Sequence, residues 1–160
     1  MPGSFNPPCA AAGLAGLLLV AGAGGGARAS QIVSPRGTCL EVVGAVNANG
    51  TLVQLHNCEP GNDNQNWTFN PATGQIVWAY GGKCPDVSRG SRENAAAVQI
   101  WQCIPNAGTQ RFEVRPPAIV WSGSNQCLDL REGNPMPGAA AQMWQCLASP
   151  RNSNQRWTIK

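Results

Sequence analysis

Three pairs of cysteines recur along this chain at one separation: Cys39 and Cys58, Cys84 and Cys103, and Cys127 and Cys146 each stand 19 positions apart. Six cysteines allow fifteen pairings, and spacing does not normally choose among them. Here the regularity favours one bridge per repeat. A bridge closing about 20 residues stabilises its loop by roughly 3 kcal/mol in the chain-entropy account. Zinc is the competing use of clustered cysteines, but no Cys-x2-Cys pair occurs and His56 is the sole histidine, so no metal or other cofactor is expected. Bridges of this kind point to an oxidising, extracellular setting.

More than cysteine repeats. The first segment reads Thr38-Cys39-Leu40-Glu41-Val42, then Val53-Gln54-Leu55-His56-Asn57-Cys58, then Asn64-Gln65-Asn66-Trp67-Thr68. The second reads Lys83-Cys84-Pro85-Asp86-Val87, then Val98-Gln99-Ile100-Trp101-Gln102-Cys103, then Thr109-Gln110-Arg111-Phe112. The third reads Gln126-Cys127-Leu128-Asp129-Leu130, then Ala141-Gln142-Met143-Trp144-Gln145-Cys146, then Asn154-Gln155-Arg156-Trp157-Thr158. Ile32-Val33, Ile76-Val77 and Ile119-Val120 precede them in turn. The period of about 44 residues divides the chain into repeats at approximately 31–74, 75–117 and 118–160.

Within each repeat, short apolar–polar alternations are separated by clusters such as Pro60-Gly61-Asn62-Asp63 and Gly133-Asn134-Pro135, and no stretch sustains a helical period. The fold class is therefore all-β. A propeller would need at least four blades. Three units of about four strands close better around a pseudo-threefold axis, as a β-trefoil. In that setting Trp67, Phe112 and Trp157 fill equivalent core positions, and Gln65, Gln110 and Gln155 satisfy backbone groups or a neighbouring carboxylate. Trp78 and Trp121 follow the Ile-Val runs as packing or rim residues.

Residues 1–29 read differently. An uncharged Ala/Gly/Leu/Val run, too short to span a bilayer, ends in Ala27-Arg28-Ala29, which suits signal peptidase. The absence of Lys or Arg before Cys9 makes a weak n-region, and a retained Gly/Ala-rich tail is the alternative. Cleavage would leave residues 30–160 as a secreted domain without a membrane span. The formal charge of +3 drops to +2 without Arg28, and the arginines are scattered singly, which argues against nucleic acid as a partner.

The threefold Gln-x-Trp pattern, the Cys-Leu-Asp-Val-like opening and the Gln-Leu-Trp-x-Cys-like middle resemble the ricin B-chain lectin family across Gln31 to Lys160. The resemblance implies a metal-independent lectin for galactose-, N-acetylgalactosamine- or xylan-type glycans or glycoproteins, with up to three shallow sites. In the third repeat it implies that Asp129 accepts from two sugar hydroxyls and Trp144 stacks on the ring. Asn154 bonds a hydroxyl, Gln142 borders the pocket and Gln155 holds Asp129, above a loop formed by Arg131, Glu132 and Gly133. The second repeat offers Asp86, Gln99, Trp101 and Gln110, with Thr109 in place of Asn. The first offers Gln54, Asn64 and Gln65, but Glu41 replaces Asp and His56 replaces the aromatic. A glycoside hydrolase would need two carboxylates about 5 to 9 Å apart, and these acids fall on separate lobes. A protein-binding trefoil, such as a protease inhibitor using Arg89–Asn94 or Arg131–Pro137, is the alternative. Asn49-Gly50-Thr51 is a glycosylation sequon in a turn-like stretch; Asn66-Trp67-Thr68 also matches but places Trp67 in the core. The sugar preferred and the oligomeric state are not fixed by these patterns.

Overall fold

The alternating runs become twelve short strands in the computed structural model, which describes residues 29–149, 151 and 153–160. The leader expected over 1–29 lies, apart from Ala29, outside the described residues. The first repeat contributes β1 (Ile32–Val33), β2 (Thr38–Val42), β3 (Val53–Asn57) and β4 (Trp67–Asn70). The second contributes β5 (Gln75–Trp78), β6 (Lys83–Val87), β7 (Ala96–Gln102) and β8 (Phe112–Arg115). The third contributes β9 (Ala118–Trp121), β10 (Gln126–Leu130), β11 (Ala141–Gln145) and β12 (Thr158–Ile159).

Backbone pairing joins these strands into a closed ring. The last strand of each repeat pairs antiparallel with the first strand of the next: β4 with β5, β8 with β9, and β12 back to β1. Three equivalent amides link each first strand to the last strand of its own repeat. Trp67 N donates to Ser30 O (2.9 Å), Phe112 N to Gly74 O (2.6 Å) and Trp157 N to Pro117 O (2.7 Å). Six strands thus form a barrel whose edges are consumed, so no unpaired strand edge is left to template aggregation. The hairpins β2–β3, β6–β7 and β10–β11 cap one end and contact one another in rotation. Gly50 N donates to Ile100 O, Ala95 N to Met143 O and Gly138 N to Leu55 O, at 2.8–2.9 Å. This is the β-trefoil that the three repeats imply.

The core repeats as well. Trp67, Phe112 and Trp157 are at most 5% exposed, packed with Ile32, Ile76 and Ile119 and with Leu55, Ile100 and Met143 from the hairpins. Buried indoles need an acceptor, and Trp67 and Trp157 donate to Leu40 O (3.0 Å) and Leu128 O (2.8 Å). The second repeat has Phe112 and Pro85 at these places, so it keeps the packing and drops the polar contact. Trp78 and Trp121 prove to be core residues, 0% and 4% exposed, with indoles on Asp63 O and Gly108 O. Ser34 stands at the corresponding place in the first repeat, its hydroxyl 2.8 Å from that of Thr38.

The bridges Cys39–Cys58, Cys84–Cys103 and Cys127–Cys146 are formed, one in each repeat. Each second cysteine is bracketed by a glutamine from the Gln-x-aromatic element. Gln65 donates to Asn57 O (2.7 Å) and accepts from Glu59 N (3.0 Å), on either side of Cys58. Gln110 does the same at Gln102 O and Ile104 N around Cys103 (2.9 and 2.8 Å), and Gln155 at Gln145 O and Leu147 N around Cys146 (both 2.9 Å). All three side chains are 0–1% exposed, so no water replaces a lost bond. We predict that Gln110→Ala, with its bridge intact, lowers the unfolding free energy by about 1–3 kcal/mol, since it removes the side-chain partner of two partly buried backbone groups. Guanidinium titration checks this, and a loss too small to resolve would contradict the bracketing role.

Candidate functional site

The outer faces of the three cap hairpins carry the polar set. Alternation along a strand sends Leu40 and Val42 toward the core and leaves Cys39 and Glu41 on the opposite face. The antiparallel register then sets each acid directly across from a glutamine: Glu41 from Gln54, Asp86 from Gln99, and Asp129 from Gln142. Two residues further on, His56, Trp101 and Trp144 stand on the same face, opposite the first cysteines. The 3-10 turns Asp63–Gln65, Gly108–Gln110 and Ser153–Gln155 bring Asn64, Thr109 and Asn154 to the other side of each acid.

In the third repeat this makes a cleft of about 370 Å³ lined by Asp129, Gln142, Trp144, Asn154 and Leu147, with Arg131 and Glu132 along one wall. Gln142 Nε2 donates to Asp129 Oδ1 at 3.0 Å. Burial raises the Asp129 carboxyl above its ordinary value, and hydrogen bonds from Gln142 and Gln155 pull it only partway back. The loop beneath is held in a left-handed turn, with φ of +55° at Glu132 and +66° at Gly133. That conformation costs a non-glycine residue about 1–2 kcal/mol. A Cβ on Gly133 would lie 3.0 Å from Asn154 Oδ1, so glycine there is what lets the amide settle over the loop.

The second repeat forms a cleft of about 550 Å³ from Asp86, Gln99, Trp101, Thr109, Ile104 and the Ser88–Gly90 turn. Gln99 Nε2 donates to Asp86 Oδ1 at 3.3 Å, and Thr109 Oγ1 donates to Asp86 Oδ2 at 2.7 Å. Thr109 therefore spends its hydroxyl proton on the acid itself. Trp101 is 37% exposed and forms one wall.

The first repeat is closed upon itself. The extra methylene of Glu41 carries its carboxylate inward, where Oε1 accepts from Gln54 (3.1 Å) and Oε2 from Gln65 (2.9 Å). His56 Nδ1 lies 3.7 Å from Glu41 Oε2 and 3.9 Å from Glu59 Oε1. Asn64 stands half-buried on its 3-10 turn, its backbone amide held by Asn62 Oδ1. Ala45, with φ +57°, occupies the position equivalent to Gly133.

Each set expected from the repeat is thus gathered within one lobe, with one division of place. Gln65, Gln110 and Gln155 lie behind the acids, buried against the strand ends, while Gln99 and Gln142 line the two clefts and Gln54 pairs with Glu41. A further pair of residues frames two of the lobes from outside. Asn49 Oδ1 accepts from Gln102 N (2.9 Å), beside Trp101, and Asn94 Oδ1 accepts from Gln145 N (2.7 Å), beside Trp144. Both asparagines sit ten positions after the first cysteine of the preceding repeat, which is the one sequence signal that marks them. Among the described residues, no three His, Cys, Asp or Glu side chains gather as a metal site, and no helix is long and apolar enough to cross a membrane.

A family model described as the ricin-type beta-trefoil lectin domain matches residues 26–112. The solved structures similar to this chain include ThreeFoil, a designed threefold-symmetric protein, with TM-score 0.72 and 21% identity over 82% of this chain and 96% of that one. The C-half of the earthworm R-type lectin, in complex with GalNAc, follows at TM-score 0.68 and 22% identity over 83% and 98%. The agglutinin of Abrus precatorius gives TM-score 0.71 and 18% identity over 84% of this chain and 48% of its own. These likenesses establish the fold. No curated protein sequence matches the chain.

The raised Asp129 carboxyl has a signed consequence. Its folded pKa lies above its unfolded one, so the native state holds the proton more tightly. The stability from this group is complete below the unfolded value and is lost as pH rises through the folded value. The stability of Asp129→Asn relative to the parent should therefore increase as pH goes from about 4 to 7. Denaturant titrations at the two pH values test this, and a relative stability that falls over that range would contradict it.

Proposed function

We propose that this chain, which belongs to the ricin-type beta-trefoil lectin family, is a secreted carbohydrate-binding protein that acts through the clefts of its second and third repeats. The observation that carries the reading is the third-repeat cleft, where an acid, an aromatic wall and a free amide converge. Asp129 Oδ1 is engaged by Gln142 and the carboxylate retains lone pairs for two adjacent hydroxyls of one sugar. Trp144 offers its face to the ring's C–H side, and Asn154 orients a hydroxyl from across the cleft. This set supplies both donors and acceptors, so no metal is required.

In the second repeat Gln99 and Thr109 each occupy one oxygen of Asp86, which leaves a poorer acceptor and a weaker site, while Trp101 keeps its open wall. In the first repeat both oxygens of Glu41 are taken by Gln54 and Gln65 and His56 stands where the other lobes have tryptophan, so we read it as a structural lobe. Two weak sites on one rigid body suit a branched or repeating glycan, where linkage converts the second contact into an intramolecular one. Binding fits better than hydrolysis, because Glu41, Asp86 and Asp129 belong to three separate hairpins, whereas glycosidases set two carboxyl groups about 5–9.5 Å apart across one bond. The earthworm relative was solved with GalNAc, which supports including N-acetylgalactosamine with galactose and xylan among the first ligands to try.

A glycan array probed with residues 30–160 and with Asp129→Ala tests the proposal. The parent should bind galactosides, N-acetylgalactosaminides or xylan, and the variant should lose at least about tenfold in affinity, the cost of one charge-assisted hydrogen-bond set. A folded parent that binds no glycan would sink the lectin reading and move the weight to a protein partner such as a protease.

A further inference from the structure

The turn that carries Asn49 lies across the end of β7, next to the second-repeat cleft. Gly50 N donates to Ile100 O (2.9 Å), and Ile100 N donates to Thr51 O (2.7 Å). A Cβ placed on Gly50 would stand 3.9 Å from Trp101 Cζ3 and 4.0 Å from Gln99 Oε1. Asn49 is exposed, and its Oδ1 is fixed by Gln102 N, the amide immediately after Trp101. Because Oδ1 is the atom engaged, Nδ2 is the atom left to solvent. Asn49-Gly50-Thr51 is also a sequon, and glycosylation takes place at Nδ2 while leaving Oδ1 free to accept.

We propose that Asn49 carries an N-linked glycan whose first sugars lie over Trp101 and shield the second-repeat cleft, so that the two-cleft binding described above belongs to the unglycosylated chain and the third-repeat cleft is the one left open when the glycan is present. The modification rests on the secreted reading. It uses a lipid pyrophosphate-linked oligosaccharide as donor. The bond from the anomeric carbon to the phosphate oxygen breaks, the carbon bonds to Asn49 Nδ2, Nδ2 loses a proton, and the lipid pyrophosphate leaves. Folding keeps the product in place, since the Oδ1 contact to Gln102 N survives.

The asymmetry between lobes follows from the next residues. Asn94 holds the equivalent position beside Trp144 with the same carbonyl contact, but Asn94-Ala95-Ala96 is not a sequon. In the third repeat the position is Pro137, which has no amide side chain. The other sequon, Asn66-Trp67-Thr68, lies at the start of β4, where Trp67 is wholly buried and Asn66 O accepts from Ala79 N. One glycan, beside one cleft, is the result.

The test uses the full chain secreted from a eukaryotic host, with Thr51→Ala as the variant that removes the sequon and keeps the Asn49 side chain. Peptide masses should show a hexosamine-containing increment at Asn49 in the parent and none in the variant. Limited oxidation by N-bromosuccinimide, which attacks accessible indoles, should modify Trp101 about threefold or more slowly than Trp144 in the glycosylated parent, because the bulk of the glycan covers the ring. In Thr51→Ala, and after treatment with peptide N-glycosidase, the ratio of Trp101 to Trp144 oxidation should rise about threefold or more over that of the glycosylated parent. An Asn49 peptide recovered without a glycan would overturn the proposal. So would a glycosylated parent whose ratio of Trp101 to Trp144 oxidation equals that of the variant. Both readouts are masses, so they stand or fall independently of whether the array shows sugar binding.

Discussion

Each repeat depends on one buried amide. Gln65, Gln110 and Gln155 reach from the 3-10 turn of their own repeat to the two backbone groups that flank the second cysteine. Those groups lie where β3, β7 and β11 end, so they have no strand partner to satisfy them. Without the glutamine each partly buried group would lose its protein partner, at about 0.5–1.5 kcal/mol apiece. The same amide fixes the turn that delivers Trp67, Phe112 or Trp157 to the barrel two positions later. Bridge, cap hairpin and barrel strand are therefore tied at a single side chain, three times over.

That tie also determines what the outer face of each hairpin can do. Asp86 accepts from the cross-strand Gln99 and from Thr109, and Asp129 from the cross-strand Gln142 and from Gln155. The longer Glu41 reaches back to the bracketing glutamine and is consumed by it. All three acids are 4–8% exposed, so what separates the lobes is the neighbour on the hairpin face: His56 beside Glu41, and the indoles of Trp101 and Trp144 along the other two clefts. A second such choice is made at the loop beneath. Gly133 leaves room for Asn154, Gly90 would place a Cβ 3.3 Å from Thr109 Cγ2, and the first repeat has Ala45 at this position.

Much of this was legible in the sequence because it is periodic. The spacing of Cys39 to Cys58 and its two copies set the repeat, and the Gln-x-aromatic element set the place of Trp67, Phe112 and Trp157. The pairing of Asp129 with Gln142 follows from two alternating strands joined in register. What was not legible depends on contacts between repeats or on side-chain reach. Asn49 and Asn94 act on the following lobe, so nothing local announces them. The inward turn of Glu41 needs the three-dimensional position of Gln65, 24 residues away. Trp78 and Trp121 could be assigned to packing or rim only after the barrel was closed above the 3-10 turns that accept their indole protons.

The central claim is that two of the three lobes present an open acid-and-tryptophan cleft and that sugar enters there. An NMR titration of the six indole N–H signals, with galactose, N-acetylgalactosamine and xylo-oligosaccharides added in turn to unglycosylated protein, reads it directly. The account predicts saturable shifts at Trp144 first and Trp101 at higher concentration, with Trp67, Trp78, Trp121 and Trp157 unmoved in the core. Saturable binding that shifts neither Trp144 nor Trp101, or no response to any of these sugars, would contradict it.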